Sequence, residues 1–208
     1  MTETSSDLRN QNARRLAVAL IAVSVLFCCA AAFGAFHFVG LFEQEKAAQK
    51  AHQEKIQAVM LIQSSVSDLQ GYVLGGDSRL TGRLSDKTSQ FDSLVRAHAG
   101  DPDFQRMNEA FHLWHQSLAQ PMMQKRRQFD TGSMNFSEMG ITYIQGNAPM
   151  HERRLEELSA QTLNASRDNL EAAQGRISGL LMTAIAVTAS LGVAALALAF
   201  LLLRSLRG

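Results

Sequence analysis

Formal charge is missing from two long stretches of this chain. Residues 16–42 hold a single histidine and no formally charged side chain, and residues 177–203 hold no charge at all. Each run is 27 residues long, whereas a helix needs only about 20 to cross a hydrocarbon core of about 30 Å. No soluble fold of this size has use for two such runs, so both are read as membrane spans. Cysteine is equally scarce. Cys28 and Cys29 are the only two, and both sit in the first run, so residues 43–176 carry no thiol. A thiol-free exported domain fits an oxidising compartment. The adjacent cysteines read as small packing residues of a membrane helix. Charge imbalance is absent too: residues 43–176 take 15 of the 20 Lys and Arg and 17 of the 19 acidic residues, a net −2. That excludes a basic face for nucleic acid and a strong field for an ionic partner.

A cleaved signal peptide would end near Ala30-Ala31-Ala32. The apolar stretch instead continues through Phe33, Phe36, Phe38, Val39, Leu41 and Phe42, so the first run is read as an uncleaved span. Arg9, Arg14 and Arg15 before it, with Arg204 and Arg207 after the second, favour both tails on the cytoplasmic side. Lys46, Lys50 and Lys55 count for little, because a loop longer than about 60 residues is translocated largely regardless of its charge. The expected order is a cytoplasmic tail (1–15), a span (16–42), an extracytoplasmic domain (43–176), a second span (177–203) and a short cytoplasmic tail (204–208). The expected location is a bacterial inner membrane, with the central domain periplasmic or extracellular.

Between the spans, three prolines and few β-branched clusters make helix the default. Glu43 to Gln57 is nearly all strong helix former. Beyond it Val59, Ile62, Val66, Leu69 and Val73 step by three and four. Gly75-Gly76 ends this first helix, and Asp77 is expected as the N-cap of the second. The second runs from about Ser78 to Ala99, with Leu80, Leu84, Phe91, Leu94 and His98 on one stripe. Gly100 closes it. Asp101-Pro102 opens the third, whose stripe is Phe104, Met107, Phe111, Trp114, Leu118 and Pro121. Gly132 stops that helix. The fourth is expected from about Asn135, with Glu138 completing a capping box. It should carry Ile141, Ile144, Leu155 and Leu158 on one face and run unbroken into the second span. At 1.5 Å per residue the four rises and falls come back to about zero, as an all-α, up-down-up-down four-helix bundle anchored between two membrane helices requires.

The stretch Leu69-Gln70-Gly71-Tyr72-Val73-Leu74-Gly75-Gly76-Asp77, followed by Leu80, resembles the Arg-Gly-Tyr-Leu-Leu-Thr-Gly-Asp signature of the third type of CHASE sensor domain. These are extracytoplasmic modules of bacterial histidine kinases, cyclases and chemoreceptors. Asp101-Pro102, Trp114, Pro121, Arg126-Arg127 and Glu152-Arg153-Arg154-Leu155 follow in the family's order. Gln70 and Gly75 depart from its usual Arg and Thr, so polar roles at those positions are not carried over. The resemblance covers roughly residues 45–165 and implies a four-helix sensor. With only five residues after Leu203, no phosphate-binding glycine-rich loop and no catalytic cluster, the expectation is a non-enzymatic sensor. Its signal would pass by helix movement to a kinase, cyclase or chemoreceptor acting in trans. Two alternatives stay open: an accessory subunit docking another exported protein, and the front end of a longer histidine kinase or chemoreceptor.

Candidate site residues fall in two groups. His52, His98 and His151 continue core stripes and suit pH sensing, though an ordinary core imidazole with a hydrogen-bond partner is the simpler reading. At the distal tip, Pro121 and Pro149 should each interrupt a helix, and Gly140 and Gly146 weaken the same stretch. Met122, Met123, Met139, Met150 and Tyr143 surround it, with Met134 and Phe136. Adaptable thioethers beside a loosened bundle suit a pocket for an apolar or flat ligand, and equally a core filling irregular space. The methionines spread over about 25 Å of helix, too far for one copper coordination sphere. Glu109-x-x-His112 lacks the second Glu-x-x-His of a di-iron site. No cofactor or metal site is expected. Small residues at Ala30/Gly34, Ala31/Ala35 and Ala186/Ser190/Ala194, with the resemblance, point to a homodimer.

Overall fold

The structure, a computed structural model, describes residues 3–145 and 147–207. They are all-helical, with no strand among the described residues: α1 (Glu3–Gly75), α2 (Arg79–Ala97), α3 (Pro102–Trp114), a π-helical turn (His115–Ala119), α4 (Gln120–Asp130), α5 (Phe136–Gln145) and α6 (Ala148–Arg207). The chain divides into two units. One holds Met1–Ala47 with Glu171–Gly208, and the other holds Ala48–Leu170.

In the first unit, α1 and α6 carry the two uncharged runs, and both are long and apolar enough to cross a membrane. Their large side chains lie open. Phe33, Phe36, Leu196 and Phe200 are each at least 66% exposed.

The second unit has one apolar core to which all six helices contribute: Val59, Ile62 and Leu69 from α1, Leu84 and Phe91 from α2, Phe104, Phe111 and Trp114 from α3, Met122 from α4, Met139 from α5 and Leu155 from α6. Phe111 stacks on Trp114 with centroids 5.4 Å apart and meets Phe91 at 4.8 Å. Polar contacts tie α1 to its neighbours. Its Glu54 meets His98 at 3.2 Å, and its Lys55 reaches Asp103 at 2.6 Å. His52 pairs with Ser166 at 3.1 Å, and Asp68, almost fully buried, pairs with Lys87.

Local chemistry accounts for the helix ends. Gly76 adopts φ 75°, and its N–H donates to the Tyr72 carbonyl at 2.8 Å, a left-handed C-terminal cap. The Asp101 carboxylate accepts the Asp103 N–H at 2.8 Å, and Pro102 takes the first helical position of α3. The Asn135 side chain accepts the Glu138 N–H at 2.9 Å, while Glu138 reaches back to the Asn135 N–H at 3.4 Å. This is the expected capping box.

At the start of α2, Ser78 directly precedes the helix but makes no side-chain cap bond, and Asp77 supplies it: its carboxylate accepts the Arg79 N–H at 3.0 Å and binds the Arg79 guanidinium. Pro121 interrupts its helix without ending it. The π turn just before it takes up the missing hydrogen bond and the ring's clash with the preceding turn, and α-helix resumes. The fourth helix needs correction: it is broken, with α5 ending at Gln145 and α6 starting at Ala148. Asn147 stands between them at φ 52°, and Gly146 lies outside the described residues. Pro149 therefore occupies the first turn of α6, where a missing N–H has no intrahelical partner to lose. The break resets the helical phase, so Ile141 and Ile144 are 49% and 71% exposed although Leu155 and Leu158 are buried.

Candidate functional site

The phase of α5 builds the site. Phe136, Met139, Gly140 and Tyr143 fall at spacings of three and four, one face of a helix, and all four line a cavity of about 330 Å³. Across it stand Leu69, Val73 and Leu74 from α1 and Met122 from α4. Met122 and Met139 are 2% and 1% exposed, so their thioethers form the floor. Such a wall suits an apolar guest.

One edge is polar. The Tyr143 hydroxyl donates to Glu152 Oε2 at 3.1 Å, and the Gln70 amide donates to Glu152 Oε1 at 3.4 Å. Glu152 thereby joins α1, α5 and α6 at the cavity rim. Burial, with the charge and hydrogen bond of Glu152, holds the Tyr143 hydroxyl above its ordinary pKa, keeping it a proton donor. Gln70 and Glu152 also line a second cavity of about 240 Å³ between α1 and α6, beside Ser67, Glu156 and Ser159.

No known family model matches the chain, and no curated protein or solved structure does either. The site therefore rests on its own geometry.

Of the five expected tip residues, Met122, Met139 and Tyr143 meet at the cavity. Met123 packs half-buried against the core beside it. Met150 does not take part: with Pro149 in the first turn of α6, it faces outward and is 61% exposed. Glu152 and Gln70 were legible only as parts of a motif, because a carboxylate and an amide on exposed-type positions carry no signal of a cavity rim.

The histidines make separate contacts. His52 Nδ1 lies 3.1 Å from Ser166 Oγ. His98 Nε2 meets Glu54 and its ring stacks on Phe104 at 4.6 Å. His151 is half-buried in the first turn of α6. A histidine outside that set, His115 in the π turn, is pushed below its ordinary pKa by burial and by His112, with Asp92 opposing.

The motif residues serve the architecture. Tyr72 and Trp114 are buried core. A Cβ at Gly71 would lie 2.9 Å from Leu80 Cδ1, so glycine lets α1 and the start of α2 approach. Asp101 caps α3 with Pro102 behind it and pairs with Lys55 at 3.1 Å. Burial alone would lower the Lys55 ammonium, but Asp103 and Asp101 outweigh it and hold its pKa above 10.5. Arg126 donates to the Val73 carbonyl at 2.7 Å and lies against Gly76. Lys55 sits four residues before Val59 on the core stripe, a position where a lysine is buried only with a charged partner, though the sequence does not say which.

Proposed function

We propose that this chain is a non-enzymatic bacterial membrane sensor whose extracytoplasmic domain takes a small ligand in the cavity floored by Met122 and Met139. It passes the change by helix movement to a signalling partner of the kinase, cyclase or chemoreceptor kind. The observation that carries the reading is the 330 Å³ cavity itself, because α1 and α6, which line it at Leu69 and Glu152, are also the helices bearing the two apolar runs. A ligand that binds one arrangement of these helices better than another shifts their equilibrium.

The up-down-up-down four-helix bundle belongs to the same proposal. In its support, His52 and Gln70 of α1 pair with Ser166 and Glu152 of α6 in reversed order. Glu54 and Asp68 pair with His98 and Lys87 in the same reversed sense. The likeness to the third type of CHASE domain is supported by the packing roles of Gly71, Tyr72, Asp101, Pro102 and Trp114. A homodimer in the inner membrane, joined through the small-residue faces of the spans, completes the reading.

Exposed Phe136, Ile141 and Ile144 on α5 favour a second reading, an accessory subunit docking another exported protein through that helix. Methyl-labelled methionine spectra of the full chain in lipid nanodiscs separate the two. Under the sensor reading, 4-phenylbutanol shifts the Met122 and Met139 methyls saturably and leaves Met60, remote on α1, in place. Unmoved Met122 and Met139 signals at saturating probe would sink the ligand-sensor reading.

A further inference from the structure

Glu152 stands between two cavities, and the linings on both sides bear on what fits there. The first is apolar except at its rim, where Gln70, Tyr143 and Glu152 meet. The second adds Glu156 and the hydroxyls of Ser67 and Ser159. Together the two linings hold two carboxylates and no Lys, Arg or His. An anionic guest would meet only like charge.

The state of Glu152 sharpens this. Its two oxygens take neutral donors, a tyrosine hydroxyl at 3.1 Å and an amide at 3.4 Å. Among the described residues no Lys or Arg pairs with it, although other carboxylates of the same unit do have cations: buried Asp68 has Lys87, and half-buried Asp103 has Lys55. The Gln70 bond is at the long limit of hydrogen bonding, so it is the donor a guest displaces with least loss. Displacing it also opens one cavity to the other, because Gln70 lines both.

We infer that the two cavities form one site for an amphipathic amine, its apolar body between Met122 and Met139 and its ammonium on Glu152, facing Glu156. The inference rests on the sensor reading and names the ligand class for that site. An ammonium supplies charge-assisted hydrogen bonds where Gln70 offers a weak neutral one, and the apolar wall takes an aliphatic or aromatic chain of a few carbons. Ligand entry then moves α1 relative to α6 at Gln70 and Glu152, because the bond joining them is replaced by one to the guest.

Three isosteric probes test this on the full chain in nanodiscs, with the Met122 and Met139 methyl signals as readout: 4-phenylbutylamine, 4-phenylbutanol and 4-phenylbutyrate. The amine is expected to bind about tenfold tighter than the alcohol, the difference between a charged and a neutral hydrogen bond, with the carboxylate weakest. Glu152→Gln should erase the amine's advantage over the alcohol. Gln70→Ala removes the donor to be displaced and should tighten the amine, which keeps the test open if Glu152→Gln destabilises the domain. Equal affinity for amine and alcohol, or an amine preference that survives Glu152→Gln, overturns the inference and leaves the cavity reading standing. Failure of all three probes to shift either methyl overturns both.

Discussion

The Arg126 guanidinium donates to the Val73 carbonyl at 2.7 Å, and its far nitrogen lies where a Cβ on Gly76 would stand. It closes the end of α1, where backbone carbonyls have no partner and the helix dipole is negative. Asp130, 3.0 Å away, and the Phe129 ring fix the arginine in place. Arg126→Ala should therefore destabilise the domain by about 1.5–3 kcal/mol, as loss of a charged hydrogen bond does. Gly76→Ala should cost about 1 kcal/mol for its positive φ alone and more for the collision with Arg126. In a double-mutant cycle by thermal unfolding, the cost of Gly76→Ala should shrink when Arg126 is alanine. Strict additivity would show that the two do not act together.

Stability should fall at both ends of the pH scale through Lys55 and Asp103. Burial would lower Lys55, but its bonds to Asp103 and Asp101 raise it above 10.5. That contribution is full below 10.5 and is lost as pH rises through the higher folded value. Burial would raise Asp103, but Lys55 and Arg106 hold it below 3.8. Its contribution is full above 3.8 and is lost as pH falls through the lower folded value. Lys55→Met should cost about 1–3 kcal/mol at neutral pH, because Asp101 and Asp103 lose the buried cation they share and only Arg106 remains on Asp103. It should also flatten the alkaline arm of the melting-temperature profile. A variant that retains the wild-type alkaline arm would remove Lys55 from this role.

His115 sets a different pH window. Its pKa lies below 6.5 because burial disfavours the imidazolium and His112 adds like charge. The unfolded chain then takes up a proton first, so stability falls as pH drops from about 6.5 toward the folded value and levels off beneath it. His115→Gln should remove that part of the acid slope while costing little at pH 7.5. An acid slope identical to that of the unaltered protein would refute the assignment.

The stripes on α1, α2 and α3 were readable because each lies within one uninterrupted helical phase: Val59, Ile62 and Leu69, then Leu84 and Phe91, then Phe104, Met107, Phe111 and Trp114 are buried as their spacing demands. Capping chemistry was equally legible at Asp101-Pro102 and at Asn135 with Glu138, because these signals depend on neighbours in the chain. The break before Asn147 was not, since a short interruption leaves a continuous-looking pattern while rotating everything before it. That is why Met139 and Tyr143 face inward where Ile141 and Ile144 were expected. The π turn was hidden for a related reason: Pro121 announces a lost hydrogen bond, but not whether the helix ends or widens around it. Lys55–Asp103 and Arg126–Val73 join residues far apart in sequence, and nothing local encodes such pairs.

Orientation is open to a direct check. With Cys28 and Cys29 changed to serine, a cysteine at Ser89, exposed on α2, should react with a membrane-impermeant thiol reagent in intact cells. A cysteine at Ser5 should react only after the membrane is opened, because the tail arginines favour the cytoplasmic side. The reverse pattern would turn the domain inward and end the extracytoplasmic reading.

The tip methionines divide by burial, and substitution should divide them the same way. Met122 and Met139 are 2% and 1% exposed, whereas Met150 is 61% exposed. Met122→Ala and Met139→Ala each remove packed atoms and should destabilise by about 2–5 kcal/mol, toward the lower end because the adjoining cavity leaves fewer contacts to lose. Met150→Ala should stay within about 0.5 kcal/mol of the unaltered protein. Met139→Leu keeps the volume and the apolar surface but stiffens the side chain, so it should preserve stability to within about 1.5 kcal/mol while narrowing the range of probes accepted. If Met139→Leu binds every probe unchanged and Met139→Ala alters only melting temperature, these thioethers are packing and not a binding floor. A probe preference that shifts with Met139→Leu at constant stability assigns them to the ligand.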